Sequence, residues 1–143
     1  MSNERLRFVV DASVGIKFFV EEPLSEQAHA PFTKLTKNPP ADLYVPDLFF
    51  IECTIILLNY IHRFGRSLED SQADLVDLNT LALKMVTTAE LMEAALLLAS
   101  QKNFTAYDAC YAILARRLNL SLITADEHSA LAVEGAVWLG DFN

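Results

Sequence analysis

Four acidic residues of this 143-residue sequence stand where carboxylates could bind a metal ion. These residues are Asp11, Glu52, Asp108 and Asp126. Each lies within or beside an apolar segment, where a negative charge is costly unless a cation or hydrogen-bond donors offset it. Clustered carboxylates resist ionisation, and divalent cations relieve their repulsion. Oxygen ligands of this kind suit Mg²⁺ or Mn²⁺, which can activate water for hydrolysis of a phosphodiester.

The fold would have to bring these acids together, because they are spread over most of the chain. Short apolar segments alternate with helical patterns along the sequence. The predicted strands cover residues 7–12, 43–46, 84–87, 121–124 and 136–140. The predicted helices cover residues 13–22, 25–37, 48–63, 68–82, 89–102, 105–118 and 126–134. This alternation predicts one α/β domain over residues 1–143, with a mainly parallel sheet and helices on both faces.

The predicted connectivity places the four acids at one edge of the sheet. In parallel α/β sheets, ligands bind beyond the carboxyl ends of the strands. Asp11 and Asp126 follow predicted strands, and Glu52 falls in the second turn of the helix after strand 43–46. Asp108 begins a helix that runs back over about 20 Å, antiparallel to the next strand. It therefore returns to the edge where Asp126 lies.

Each acid also has an ordinary structural explanation. Asp108 follows Thr105 by three residues, as in a capping box, and Asp126 could cap the next helix. Asp11 could be a turn residue at the end of a strand, and Glu52 could lie on a solvent-facing stripe of its helix. None of these explanations accounts for the presence of all four acids at one edge.

Two further expectations concern the helices themselves. Ser13 and Asp47 are expected to cap the helices that follow the first two strands. One stripe of helix 105–118 is predicted to consist of Tyr107, Tyr111, Leu114 and Leu118. These predictions concern packing and helix ends, and they assign no chemistry to the tyrosines.

The composition limits the other functional classes. A net charge of −8 argues against charge-driven binding of nucleic acid, but not against an enzyme whose acids bind metal ions. The most apolar segment, residues 48–61, is shorter than the roughly 20 residues of a membrane span, and we interpret it as a core helix. Cys53 and Cys110 are expected to be buried free thiols, which favours a reducing, cytoplasmic location.

Taken together, several segments resemble the PIN-domain nucleases, and especially the VapC-type toxins of prokaryotic toxin–antitoxin pairs. The segments that carry the resemblance are FVVDASVGIKFFVEE (8–22), VPDLFFIECTIILLNY (45–60), FTAYDACYAILARRLNLSLITADEH (104–128) and AVWLGDF (136–142). They occur in the family's order and cover nearly the whole chain. The resemblance implies a PIN-like three-layer α/β/α domain.

The resemblance also implies a metal-dependent endoribonuclease that acts as a toxin and inhibits translation. The residues that match the family's metal-binding quartet are Asp11, Glu52, Asp108 and Asp126. This quartet would bind one or two Mg²⁺ or Mn²⁺ ions. Ser13 matches a hydroxyl residue that helps to order the site, and Thr124 matches one that supports the metal shell. The implied partners are an RNA substrate, a cognate antitoxin protein and a second copy of the chain.

The sequence departs from the family pattern and leaves alternatives open. His128 stands where some members carry a further acid, which leaves the second metal ion undecided. Ser13 and Thr124 could instead be a helix cap and a strand-end residue. A PIN-fold RNA- or protein-binding module without catalysis is the main alternative, and the intact quartet favours the enzyme. An aspartyl-phosphate phosphatase would need D-x-D after the first strand, where this chain has DAS.

Overall fold

The computed structural model describes residues 6–17, 20, 42–126, 130, 133 and 135–141. The predicted helix 25–37 and most of the predicted helix 126–134, including His128, lie outside these residues. The described part contains the segments that carry the four predicted site acids.

A sheet of five strands forms the centre of the described structure. The strands are β1 (Arg7–Val10), β2 (Asp42–Pro46), β3 (Lys84–Val86), β4 (Ser121–Thr124) and β5 (Val137–Trp138). They lie in the order β3-β2-β1-β4-β5, and each neighbouring pair is parallel. The predicted α/β class and parallel sheet are confirmed. The strand order reverses between β1 and β4, which is where such sheets open a crevice for a ligand.

Helices flank both faces of this sheet. They are α1 (Ala12–Lys17), α2 (Phe49–Phe64), α3 (Leu68–Thr80), α4 (Met92–Gln101) and α5 (Ala106–Leu118). Right-handed crossovers place the first three on one face and the last two on the other. The contacts agree, because α2 packs against α1 and α3, whereas α5 packs against α4 and strands β1, β2 and β4. A ligand at the β1–β4 edge is therefore within reach of side chains from both helical layers.

The prediction of a core helix over residues 48–61 is correct for one face of α2 only. The buried residues of α2 are Phe49, Cys53 and Leu57. On the other side, Ile51, Ile55 and Leu58 are between 44% and 56% exposed. A helix that lies on a sheet buries one stripe, so an almost entirely apolar helix leaves the rest of its apolar surface uncovered.

The predicted cap at Ser13 is wrong, because the preceding acid takes that position. Ser13 lies inside α1. The Oδ1 atom of Asp11 accepts a hydrogen bond from the backbone N–H of Val14 at 3.2 Å, as the side chain of an N-cap residue does. The end of β1 and the start of α1 are thus joined through the carboxylate of Asp11.

The predicted cap at Asp47 is also wrong, because α2 begins after Leu48 without a side-chain cap. The Oδ1 atom of Asp47 instead accepts a hydrogen bond from the backbone N–H of Thr88 at 3.0 Å. The backbone N–H of Leu48 donates to Oγ1 of Thr88 at 3.1 Å. Asp47 therefore ties the end of β2 to the turn that follows β3.

Gly15 allows α1 to lie unusually close to α2. A Cβ atom at Gly15 would stand 2.7 Å from Cζ of Phe49, and the Phe49 side chain is fully buried. Any larger residue would push the two helices apart or displace the ring. The close approach fixes the position of α1, whose first turn carries the residues next to Asp11.

Two simpler expectations can be compared directly with the structure. Cys53 and Cys110 are both buried free thiols, as predicted. No helix in the described ranges has both the length and the apolar character that a bilayer crossing requires.

Candidate metal site

Asp11 occupies the centre of the carboxyl edge of the sheet. Its backbone N–H donates to the carbonyl of Ile123 at 3.4 Å, across the junction of β1 and β4. Its Oδ1 atom accepts hydrogen bonds from the Ser13 hydroxyl at 2.5 Å and from the backbone N–H of Val14. Burial raises the pKa of Asp11, and repulsion from Asp108 adds to the rise. These donors oppose the rise without cancelling it, so this carboxylate would gain from a nearby cation.

Two hydroxyl groups connect the ends of β1 and β4. While it donates to Asp11, Oγ of Ser13 accepts a hydrogen bond from the backbone N–H of Ala125 at 3.1 Å. Thr124 is fully buried, and its Oγ1 atom accepts from the backbone N–H of Asp126 at 3.0 Å. Hydrogen bonds from the hydroxyls of Ser13 and Thr124 both lower the pKa of Asp11, against the larger rise that burial causes. Ser13 and Thr124 therefore orient Asp11 and the backbone that leads to Asp126.

Glu52 lies near Asp11 at this edge of the sheet, in the first turn of α2 and not in the second turn as predicted. We call the region that contains Asp11, Glu52 and Asp108 the acidic corner. The Oε1 atom of Glu52 is buried and has no hydrogen-bond partner. Burial raises the pKa of Glu52 from 4.5 to about 7, and repulsion from Asp11 and Asp108 adds to the rise. The hydroxyl of Tyr111 is close enough to lower that pKa, but it does not reach ordinary hydrogen-bond geometry. A solvent-facing Glu52 does not fit this burial.

Asp108 comes from the opposite helical layer, in the first turn of α5. Thr105 caps this helix, and its Oγ1 atom accepts from the backbone N–H of Asp108 at 3.1 Å. No return bond from the Asp108 carboxylate to Thr105 is formed within the described residues, so the capping box is only half made. The carboxylate instead raises the pKa of Asp11 and of Glu52. Capping by the backbone and participation in the acidic corner are therefore compatible.

Asp126 stands at the margin of this corner. It is exposed, and it is not among the charges that raise the pKa of Asp11 or Glu52. Its backbone carbonyl accepts a hydrogen bond from the N–H of Ala130 at 3.0 Å. The structure thus brings Asp11, Glu52 and Asp108 into one electrostatic cluster and leaves Asp126 beside it.

The donors of this corner fit a divalent cation in their chemistry. They are all carboxylate oxygens, which Mg²⁺ and Mn²⁺ prefer. The Oε1 atom of Glu52 is buried without a partner, and a cation bound to this carboxylate would offset its charge. Among the residues that the structure describes, however, no three His, Cys, Asp or Glu side chains are already grouped closely enough to hold an ion.

Tyr111 is a residue of this corner that the sequence pattern did not reveal. The predicted stripe of helix 105–118 is wrong at Tyr107, which is 50% exposed, whereas Tyr111 is 3% exposed. Tyr111 lies three residues after Asp108, so the two share a face of α5. A buried tyrosine usually finds a partner for its hydroxyl. The three-residue spacing from Asp108 was the sequence signal that could have placed Tyr111 near the acids.

The comparisons with known proteins agree with this geometry. The PIN domain family matches residues 8–133. The chain belongs to the PIN-domain family. Among curated proteins, this PIN domain is 30% identical to Ribonuclease VapC3 of Pyrobaculum aerophilum over 128 residues, which cover 87% of this chain and 93% of the relative.

Solved structures of similar fold include two that cover nearly all of this PIN domain. The crystal structure of PAE2754 from Pyrobaculum aerophilum has a TM-score of 0.70 at 22% identity, and the match covers 96% of this chain and 93% of that chain. A toxin–antitoxin complex from Klebsiella pneumoniae contains a chain with a TM-score of 0.66 at 17% identity, and the match covers 92% and 96% of the two chains. At these identities the two structures show the shared fold.

Proposed function

We propose that this PIN domain is a Mg²⁺- or Mn²⁺-dependent endoribonuclease and the toxin of a toxin–antitoxin pair, which inhibits translation by cleaving RNA. The observation that carries the proposal is the buried Oε1 atom of Glu52, which has no hydrogen-bond partner, beside Asp11 and Asp108 at the carboxyl edge of the sheet. The relative Ribonuclease VapC3, which aligns over most of both chains, supports RNA as the substrate.

The proposed roles follow from the geometry of the corner. The residues that would hold one or two ions are Asp11, Glu52, Asp108 and Asp126. When bound, such an ion supplies an activated water and stabilises negative charge on the phosphate undergoing displacement. Ser13 fixes the rotamer of Asp11 by donating to Oδ1. Thr124 holds the backbone of Asp126 at the margin of the site, from which its carboxylate can approach the other three.

We further propose a cognate antitoxin and a homodimer as the protein partners. The toxin–antitoxin complex from Klebsiella pneumoniae, which shares this fold, supports the antitoxin. Several apolar side chains that protein partners would cover lie on α2 and α4, where Ile51 is 56% exposed, Leu96 is 73% exposed and Leu97 is 59% exposed.

The remaining proposals concern the domain and its location. Residues 1–143 are proposed to form one PIN domain, since the described strands share one sheet and one hydrophobic core. A cytoplasmic location is proposed because Cys53 and Cys110 are free thiols, which are typical of reducing compartments.

The test is cleavage of RNA by the purified protein with Mg²⁺ or Mn²⁺, and loss of cleavage in EDTA. Asp108→Asn is expected to abolish cleavage and to leave the melting temperature unchanged or raised, because one repelling charge is removed. The matched control is Asp70→Asn. Asp70 lies in the first turn of α3, and its N–H donates to Oγ of Ser67 at 3.0 Å, as that of Asp108 donates to Thr105, but Asp70 is exposed and lies outside the acidic corner.

The outcomes separate the enzyme from a binding module. Asp70→Asn should cleave RNA at the rate of the unchanged protein. If the unchanged protein binds RNA but does not cut it with either metal, the protein is a binding module. If Asp108→Asn lowers stability and keeps full activity, Asp108 is a helix cap and no metal ligand.

A further inference from the structure

Tyr111 places a buried polar atom in the acidic corner without an ordinary bond to satisfy it. Its side chain is 3% exposed, and its hydroxyl has no partner within hydrogen-bond limits. Phenylalanine would fill the same space without leaving a hydroxyl unsatisfied. Tyr44 differs, because its hydroxyl accepts a hydrogen bond from Arg7 at 2.8 Å. The hydroxyl of Tyr111 therefore calls for a functional explanation.

Glu52, whose pKa the Tyr111 hydroxyl lowers, has the complementary deficit. Oε1 of Glu52 is a buried acceptor without a donor, and the Tyr111 hydroxyl is a buried donor without an acceptor. Burial raises the pKa of both groups, and each also acts on the other: the phenol opposes the rise at Glu52, and the carboxylate adds to the rise in the pKa of the phenol. They come from helices on opposite faces of the sheet. The hydroxyl and the carboxylate therefore meet at the edge of the sheet, where neither has another partner among the described residues.

We propose that Tyr111 is a positioning residue for Glu52. The Tyr111 hydroxyl donates to one oxygen of the Glu52 carboxylate and leaves the other oxygen directed at the cation. This inference rests on the proposed metal site. Carboxylates that bind metal ions are themselves commonly held by hydrogen bonds, and loss of such a partner typically weakens metal binding about 10- to 100-fold. A phenol suits this place because it donates a proton without adding a positive charge that would compete with the ion.

The competing explanation is that Tyr111 only fills the core behind the site. A core filler acts through its ring, which Tyr111→Phe preserves. A positioning residue acts through its hydroxyl, which Tyr111→Phe removes. The chain also supplies a matched control, because Tyr107 lies four residues earlier on α5 and is half exposed. Tyr107→Phe makes the same chemical change outside the corner.

The experiment measures the affinity of the full chain for Mn²⁺ without RNA, by electron paramagnetic resonance of the free ion. Tyr111→Phe is expected to bind Mn²⁺ about 10-fold more weakly, at the lower end of the usual effect. Its melting temperature without metal should be unchanged or raised, since no satisfied bond is lost. Tyr107→Phe should bind Mn²⁺ with the affinity of the unchanged protein.

A second pair of variants shows whether the effect passes through Glu52. In a Glu52→Gln background, Tyr111→Phe should have no further effect on Mn²⁺ affinity, because the carboxylate that it orients is absent. If Tyr111→Phe lowers affinity equally in both backgrounds, Tyr111 does not act through Glu52 and the inference is wrong.

The remaining outcomes distinguish this inference from the proposed function. If the unchanged protein binds Mn²⁺ and Tyr111→Phe binds it equally well, the role of Tyr111 is refuted and the metal site stands. If the unchanged protein binds no Mn²⁺, the proposed metal site and the role of Tyr111 both fail.

Discussion

Two aspartates occupy equivalent places in neighbouring strands of this sheet, and their environments differ. Asp11 follows β1 directly and Asp47 follows β2 directly. Each accepts a backbone N–H on its Oδ1 atom, from Val14 and from Thr88 respectively. Burial, with repulsion from Asp108, raises the pKa of Asp11. Hydrogen bonds from the side chain and the backbone of Thr88 lower the pKa of Asp47.

The difference shows that a position at the carboxyl edge of a parallel sheet does not by itself make a metal site. Asp47 is exposed and satisfied by donors, so it connects two loops and has no need of a cation. Asp11 is desolvated and lies near other carboxylates, so its charge is poorly compensated within the protein. The lack of compensation, together with the edge position, is what favours metal binding.

The largest expected effect comes from the same substitution at both aspartates. Asp11→Asn should lower the rate of RNA cleavage at least about 100-fold, because a proposed ligand does more than the outer groups whose loss costs 10- to 100-fold. Asparagine also caps helices well, so α1 should persist. Asp47→Asn should cleave RNA at the unchanged rate. Equal loss of cleavage in both variants would show that Asp11 and Asp47 do not differ in function.

A substitution at Gly15 should disturb the support of Asp11. Gly15→Ala places a methyl group against the ring of Phe49, and overpacking of this kind costs about 1 to 3 kcal/mol. The free energy of unfolding in urea measures this loss. Gly65→Ala is the comparison, because Gly65 has a φ of 69° but open space around it. It should cost about 1 kcal/mol through backbone strain alone. A larger loss of unfolding free energy in Gly65→Ala than in Gly15→Ala would contradict the importance of the close contact between Gly15 and Phe49.

The pH dependence of stability should have opposite signs for Glu52, in the acidic corner, and for Asp47, at the end of β2. The pKa of Glu52 is about 7 in the folded protein and has an ordinary value of 4.5. The folded state therefore binds more protons than the unfolded state over this window, and its stability falls as pH rises from about 4.5 to about 7. Asp47 has a lowered pKa, so its contribution is present above 3.8 and is lost as pH falls through the lowered value.

Denaturation in EDTA at pH 5 and pH 8 tests the first sign. The Glu52 contribution should be on the order of 1 kcal/mol, since partial exposure screens the repulsion. Glu52→Gln should remove most of this difference. A difference of the same size in Glu52→Gln would place its origin in other groups.

The smallest expected effect is a loss of stability in Asp47→Ala. This change removes the bond to the N–H of Thr88, and a hydrogen bond of this kind contributes about 1 kcal/mol or less. RNA cleavage should not change. Asp77→Ala, at an exposed position of α3, is the control and should stay within about 0.5 kcal/mol of the unchanged protein. A loss of cleavage in Asp47→Ala would extend the functional site to the ends of β2 and β3, where Asp47 bonds to Thr88.

Much of the fold follows from local sequence patterns. All five described strands coincide with predicted ones to within about two residues at each end, because short apolar segments between helical patterns are a strong local signal. The last strand is Val137–Trp138, where 136–140 was predicted, since a 3₁₀ turn at Leu139–Asp141 replaces its end. The strand order was not predicted, because it depends on contacts between distant segments.

The site was less accessible to sequence reasoning. The sequence places aspartates after both of the first two strands and gives no sign that one is satisfied by Thr88, which is 41 residues away. It suggested Ser13 as a cap, because the partner that fixes its hydroxyl, Ala125, lies 112 residues further along the chain. The orientation of Tyr111 toward Glu52 likewise depends on how helices from opposite faces meet. Local patterns identify candidate groups, and only the assembled fold pairs them.

The bond from Ala125 to Ser13 has a consequence for the synthesis of the protein. β1 is among the first segments of the domain to be made, yet it lies beside β4, so its acidic corner is completed only when residues 121–126 arrive. Contacts of such long sequence separation form late in folding. A nascent chain that ends at residue 120 has Asp11, Glu52 and Asp108 but lacks Asp126 and Ala125, whose backbone N–H donates to Ser13. For an enzyme proposed to cut RNA, this order delays activity until the ribosome has made residues 121–126.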